Sequence, residues 1–140
     1  MDLGLANAAA AVVGGSRGMG LATARCLAEE GARVAVIGRT PAALDSAAAE
    51  LTRLGSPDAL GLVADIGDAG QVDHVFAELG QRWNGELNVL INAVGPSVVG
   101  SFEDLTDDQW RQAVDEGVMG LCTACVRRFR YFGKRHGRGS

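Results

Sequence analysis

Gly14-Gly15-Ser16-Arg17-Gly18-Met19-Gly20 is the stretch of this 140-residue sequence best suited to chemistry. It follows an apolar run from Ala8 to Val13 and precedes a helical pattern from Leu21 to Glu30, closed by Gly31. Strand, glycine turn and helix in that order form the setting in which a backbone cradles a dinucleotide pyrophosphate. Residues without a Cβ let the chain turn tightly and come close to phosphate oxygens. The free N–H groups and the dipole of the first helical turn then supply positive potential. Gly14, Gly18 and Gly20 shape such a loop, and Ser16, Arg17 and Met19 present side chains from it.

Other chemistries fit the same residues less well. Gly14-x-Ser16-x-Gly18 spells the nucleophile elbow of a serine hydrolase, but thirteen residues upstream leave little room for an oxyanion loop. That reading also leaves Gly20 unused and finds no convincing acid and histidine downstream. A nucleoside-triphosphate loop would need Lys where Leu21 stands. The bland alternative is a purely structural turn. Cys122-x-x-Cys125 resembles half of a zinc or redox site, yet no second pair accompanies it, and His74 and His136 lie far off in sequence. No metal site is expected.

The remaining candidates lie where strands should end. At the close of the second strand stand Gly38 and Arg39, where an NAD binder carries a carboxylate for the ribose 2′-hydroxyl. A guanidinium there suits a 2′-phosphate through a planar two-pronged contact, and Arg17 adds a second cation. The cofactor favoured is therefore NADP over NAD, although Arg39 also reads as a solvated turn residue. Asp65 ends the third strand, where its carboxylate accepts either from an adenine amino group or from local backbone. Asn92 ends the fourth, where its amide either lines the ligand or ties strands together.

These positions need elements to hold them. Short apolar runs at Ala8 to Gly14, Arg33 to Gly38, Ala59 to Ala64 and Leu87 to Asn92 read as buried parallel strands. Helical patterns alternate with them: Gly18 to Glu30; Pro41 to Leu54 behind Thr40; and Asp68-x-x-Gln71 to about Trp83. A last one starts at Thr106-x-x-Gln109, with Trp110, Val114 and Met119 along one face. The rhythm implies right-handed crossovers and an α/β fold: a partial Rossmann domain, doubly wound, with about four parallel strands in order 3-2-1-4.

With 47% hydrophobic and 21% charged residues, the chain suits one packed domain. A net charge of −4 argues against nucleic acid as a partner. The first residues carry no basic n-region, and no apolar run approaches the ~20 residues of a membrane helix. A cytoplasmic protein with reduced thiols is the expectation.

Taken together these residues resemble the short-chain dehydrogenase/reductase family. Its T-G-x-x-x-G-x-G signature is matched from Val13 to Gly20, with Val13 in place of Thr. Its adenine-contacting Asp matches Asp65, followed by Ile66, and its N-N-A-G signature is matched loosely by Asn92-Ala93-Val94-Gly95. Phe102 to Trp110 is very similar to the family's lead into its next helix, and the resemblance spans residues 8 to about 120. It implies hydride transfer between NAD(P) and an alcohol or carbonyl. It also implies that Ile66, Ala93 and Gly95 join the cofactor site.

The resemblance further implies a catalytic Tyr-x-x-x-Lys, a Ser and an Asn. The Asn position falls at Gly117, and the single Tyr131 is followed four places later by Arg135. The sequence thus reads as the cofactor-binding half of such an enzyme, truncated and inactive alone unless a partner chain supplies Tyr and Lys. A stand-alone NADP(H)-binding module is the alternative, and a hydrolase using Ser16 a third reading. Residues 1–126 are expected to form the binding unit. Residues 127–140, basic and glycine-rich, read as a disordered or frameshifted tail. An uncovered fourth strand is expected to favour self-association through its edge.

Overall fold

The computed structural model describes residues 2–95 and 98–132. Its elements are β1 Ala9–Val13, α1 Gly18–Glu29, β2 Arg33–Gly38, α2 Pro41–Leu54, β3 Ala59–Val63, α3 Ala69–Arg82 and β4 Val89–Asn92. They continue with α4 Asp107–Val114, a π-helical stretch Asp115–Met119, and α5 Gly120–Phe132. The four strands are all parallel in the order β3-β2-β1-β4, the expected doubly wound arrangement.

β1 is the centre of the sheet, pairing Val13 with Ile37 on one side and with Asn92 on the other. All five of its residues are buried, as a strand covered on both faces requires. Its alternation divides the core in two. Ala9, Ala11 and Val13 point into the layer formed with Phe76, Leu79 and Trp83 of the α3 side, which α5 completes through Ala124 and Phe132. Ala10 and Val12 point into the opposite layer with Leu27, Leu44 and Leu51 of α1 and α2. Small residues on β1 let both helical layers approach, and the strand ends aligned beneath the glycine loop.

Local chemistry fixes the element ends, with some departures from expectation. Thr106 and Gln109 form the full reciprocal capping box at α4. Asp68 caps α3 by accepting from Gly70 and Gln71 N–H, but Gln71 does not return the bond to the cap backbone. Its Oε1 instead accepts from the Asp65 N–H at 3.0 Å, tying the helix start to the end of β3. Thr40 makes no side-chain cap bond, and α2 relies on Pro41 at its first position.

One correction concerns the last helix. The boundary expected at residue 127 does not appear, because α5 continues through Phe132, which is buried beside Phe76. Arginines at the start of the segment read as a disordered or frameshifted tail pack back onto the body of the domain. Arg127 grips Asp73 through two hydrogen bonds of 2.6 and 2.9 Å, and Arg128 donates to the Leu87 carbonyl. The rest of that segment, 133–140, lies outside the described residues. Trp110, Val114 and Met119, expected along one face of this helix, are exposed.

Candidate functional site

The carboxyl ends of the four strands open onto a cleft of about 630 Å³. The glycine loop lines it, and at Gly14, Gly15 and Gly20 the backbone leaves no room for a side chain. Gly14 has φ +76°, and a Cβ on it would stand 3.0 Å from Val94 Cγ2 and 3.1 Å from the Ala93 carbonyl. A Cβ on Gly20 would lie 2.1 Å from the Gly14 carbonyl oxygen. These contacts press the loop against the chain leaving β4, so the turn is closed by absence of side chains. α1 then begins behind Arg17 with no side-chain cap, which leaves its first amides for a ligand.

Ser16, Arg17, Gly18 and Met19 all line the cleft with Gly14 and Gly20. Met19 is 84% exposed, an apolar flap on the rim. Arg39 lines the cleft at the end of β2. Among the described residues neither Arg17 nor Arg39 makes an ion pair, so both guanidinium groups are available to an anion. Asp65, Ile66, Ala93 and Gly95 line the opposite wall.

Two of the expected residues have local work. Asp65 Oδ1 accepts from the Gly67 N–H at 2.9 Å, stabilising the turn after β3, and the residue also lines the cleft. Asn92 Oδ1 accepts from the Val94 N–H at 3.2 Å, and Asn92 is not among the lining residues. Its observed contact shapes the turn that carries Ala93 and Gly95.

Glu116 is the residue the sequence reading missed. It lines the cleft from the π-helical stretch, and its Oε1 accepts from Gln112 Nε2 at 2.8 Å. The signal was present one place away, since the signature position assigned to Gly117 points the same turn of helix at the strand ends. Gly120 sets that approach: a Cβ there would lie 3.0 Å from Ile66 Cγ1.

The two remaining rival chemistries find no support in this geometry. Among the described residues no histidine lines the cleft around Ser16, and His74 is exposed on α3. Among the described residues no group of three metal-ligating side chains forms. Tyr131 sits between α5 and α3, its hydroxyl 3.4 Å from Asp73 Oδ1. Asp73 is held below the usual carboxylate range chiefly by the Arg127 hydrogen bond, and Asp58 likewise by Arg82. Both belong to the packing of α3, away from the cleft.

A parallel sheet with a glycine turn after its central strand defines a dinucleotide-binding α/β domain. Residues 8–140 match the family described as short chain dehydrogenase, and the chain belongs to that family. It is 36% identical over 117 residues to galactitol 2-dehydrogenase (L-tagatose-forming) of Cereibacter sphaeroides, covering 84% of this chain and 44% of that protein. L-Sorbose reductase from Gluconobacter frateurii, solved with NADPH and L-sorbose, aligns with TM-score 0.82 at 28% identity. That alignment covers 95% of this chain and 49% of the reductase. A short chain dehydrogenase from Burkholderia cenocepacia in complex with NADP aligns with TM-score 0.83 at 30% identity, over 91% and 52% of the two chains. The chain spans about half the length of the curated relatives it matches. Among the described residues no helix is long and apolar enough to cross a membrane.

Proposed function

We propose that this chain binds NADP(H) as the cofactor-holding half of an oxidoreductase that interconverts alcohols and carbonyls. The observation that carries the reading is the cleft itself: a glycine loop closed against Ala93 and Val94, with Arg17 and Arg39 unpaired beside it. The amides of the loop and of the first turn of α1 would hold the pyrophosphate. Arg39 at the end of β2, with Arg17, would take the adenosine 2′-phosphate, a group a carboxylate at that position would repel. Asp65 and Ile66 would flank the adenine, and Ala93 and Gly95 the chain between the two nucleosides. The bound nicotinamide would supply the hydride chemistry. Support comes from the NADP(H) held by the two structural neighbours named above.

Proton transfer to the substrate oxygen needs an acid/base in the cleft. The one tyrosine of this sequence is engaged with Asp73 outside it. These 140 residues therefore bind cofactor without turnover by themselves, and substrate choice rests with groups they do not contain. That property also favours the second reading, a stand-alone NADP(H)-binding module. A reducing compartment, the cytoplasm, fits its three free thiols. Calorimetric titration of the purified chain with NADPH and NADH tests the proposal. Saturable binding with NADPH tighter than NADH is expected, with no oxidation of NADPH by simple carbonyls. Equal affinity would refute the NADP assignment, and no binding to either would refute the whole reading.

A further inference from the structure

Glu116 is a carboxylate in a cleft otherwise furnished to receive phosphate, and its placement needs a chemical reason. The cleft is polarised across the sheet. Arg17 and Arg39 stand before α1 and α2 on one face, while Asp65 and Glu116 belong to the segments before α3 and α5 on the other. A carboxylate only accepts hydrogen bonds, and facing the phosphates it would repel them. The acidic side must therefore meet an uncharged part of the ligand that donates.

Local structure selects that part. Gly120 brings the helix against Ile66, where an added Cβ would lie 3.0 Å from Cγ1, and Glu116 stands four residues earlier. The π-helical stretch Asp115–Met119 widens the helix at this point, a distortion frequent at functional sites. Glu116 is half-buried there, whereas Asp115 beside it is exposed. Gln112 Nε2 donates to Glu116 Oε1 at 2.8 Å and so orients the carboxylate, whose two oxygens offer about four acceptor sites. Resting on the reading above that Ile66 flanks the adenine, we propose that Glu116 accepts a hydrogen bond from the 6-amino group of that base. The amino group is the donor adenine presents, its ring nitrogens being acceptors. Its two N–H bonds suffice for two acceptors, so Asp65 does not compete. The cleft then selects 6-aminopurine nucleotides and rejects 6-oxopurines, whose carbonyl oxygen would face a carboxylate.

The test compares NADPH with its hypoxanthine analogue, in which a carbonyl replaces the 6-amino group. Calorimetric titration of the unmodified chain is expected to favour NADPH by roughly 10- to 100-fold. Glu116→Gln presents an amide that donates to the carbonyl, so the preference should fall at least about tenfold, with the analogue binding more tightly than before. Glu116→Ala should lose the preference without that gain. A variant that merely folded poorly would weaken both ligands together, so the ratio reads the contact. Unchanged discrimination in both variants overturns the proposal and assigns the base to Asp65. Equal binding of the two ligands by the unmodified chain also overturns it, while leaving the NADP(H) reading intact. Binding of neither ligand overturns both.

Discussion

A single methyl group decides whether the cleft exists. Alanine at Gly20 would put its Cβ 2.1 Å from the Gly14 carbonyl oxygen, a backbone atom that cannot swing away. The loop would have to open, and Gly14 would lose its seat against Ala93. Gly20→Ala is expected to abolish NADPH binding and to destabilise the fold by about 2–4 kcal/mol in chemical denaturation. Gly85→Ala is the control: it has φ +72° but nothing within 4 Å of the added atom. Strain alone should then cost about 1–2 kcal/mol, with binding intact. Equal losses from the two variants would mean that the loop is not closed by steric contact. Arg39 offers the chemical counterpart. An unpaired guanidinium on a phosphate is a charge-assisted contact of about 1.5–3 kcal/mol, or roughly 10- to 100-fold in affinity. Arg39→Ala should weaken NADPH by that factor, leave NADH unchanged, and flatten the salt dependence of NADPH binding.

The elements were legible where sequence pattern and burial agree. β2 begins and ends where its apolar run does, because both faces of a central parallel strand must be apolar. α5 beyond residue 126 was not legible, because its arginines look like solvated surface in one dimension. Arg127 instead meets Asp73 across the α3 interface, a pairing 54 residues apart in sequence, and Arg128 bonds the Leu87 carbonyl. Trp110, Val114 and Met119 lie exposed, since helical spacing reveals an apolar face but not what covers it. In the site, Asn92 closes β4 as expected and Asp65 lies two residues past the end of β3, yet their hydrogen bonds with Val94 and Gly67 depend on turn geometry that composition does not encode. The Asp73 cluster gives an element-scale prediction. Arg127 lowers the Asp73 pKa, so the carboxylate is charged above about pH 4 in folded and unfolded chains alike. The docking energy is therefore fully present above that pH and fades as pH falls through the lowered folded value. The protection factors of α5 amides, exchange rates normalised to the intrinsic rate at each pH, should fall on acidification from pH 5 toward pH 3. Asp73→Asn should lower those protection factors at neutral pH and remove most of their acid dependence.

At the scale of the molecule, the cleft is built from every strand end but crossed by no single element. Ile37 and Arg39 leave β2, Asp65 leaves β3, Ala93 leaves β4, and the glycine loop leaves β1. The sheet also has an outer edge at β4, which is paired only to β1 among the described residues. A ligand lying across the cleft touches segments from all four strands, so it binds only when the sheet is complete. Binding energy is then folding energy. NADPH at about 100 times its dissociation constant should add about 2.7 kcal/mol to the stability of the whole chain. In a domain of this size that is a rise in melting temperature of roughly 5–15 °C. Because the contacts span the sheet, the rise should appear in one transition that moves as a unit. Arg39→Ala should shrink it for NADPH alone, and Gly20→Ala should remove it for both cofactors. A melt in which NADPH shifts only part of the signal would show that the β3-β2 half closes on the nucleotide without β4.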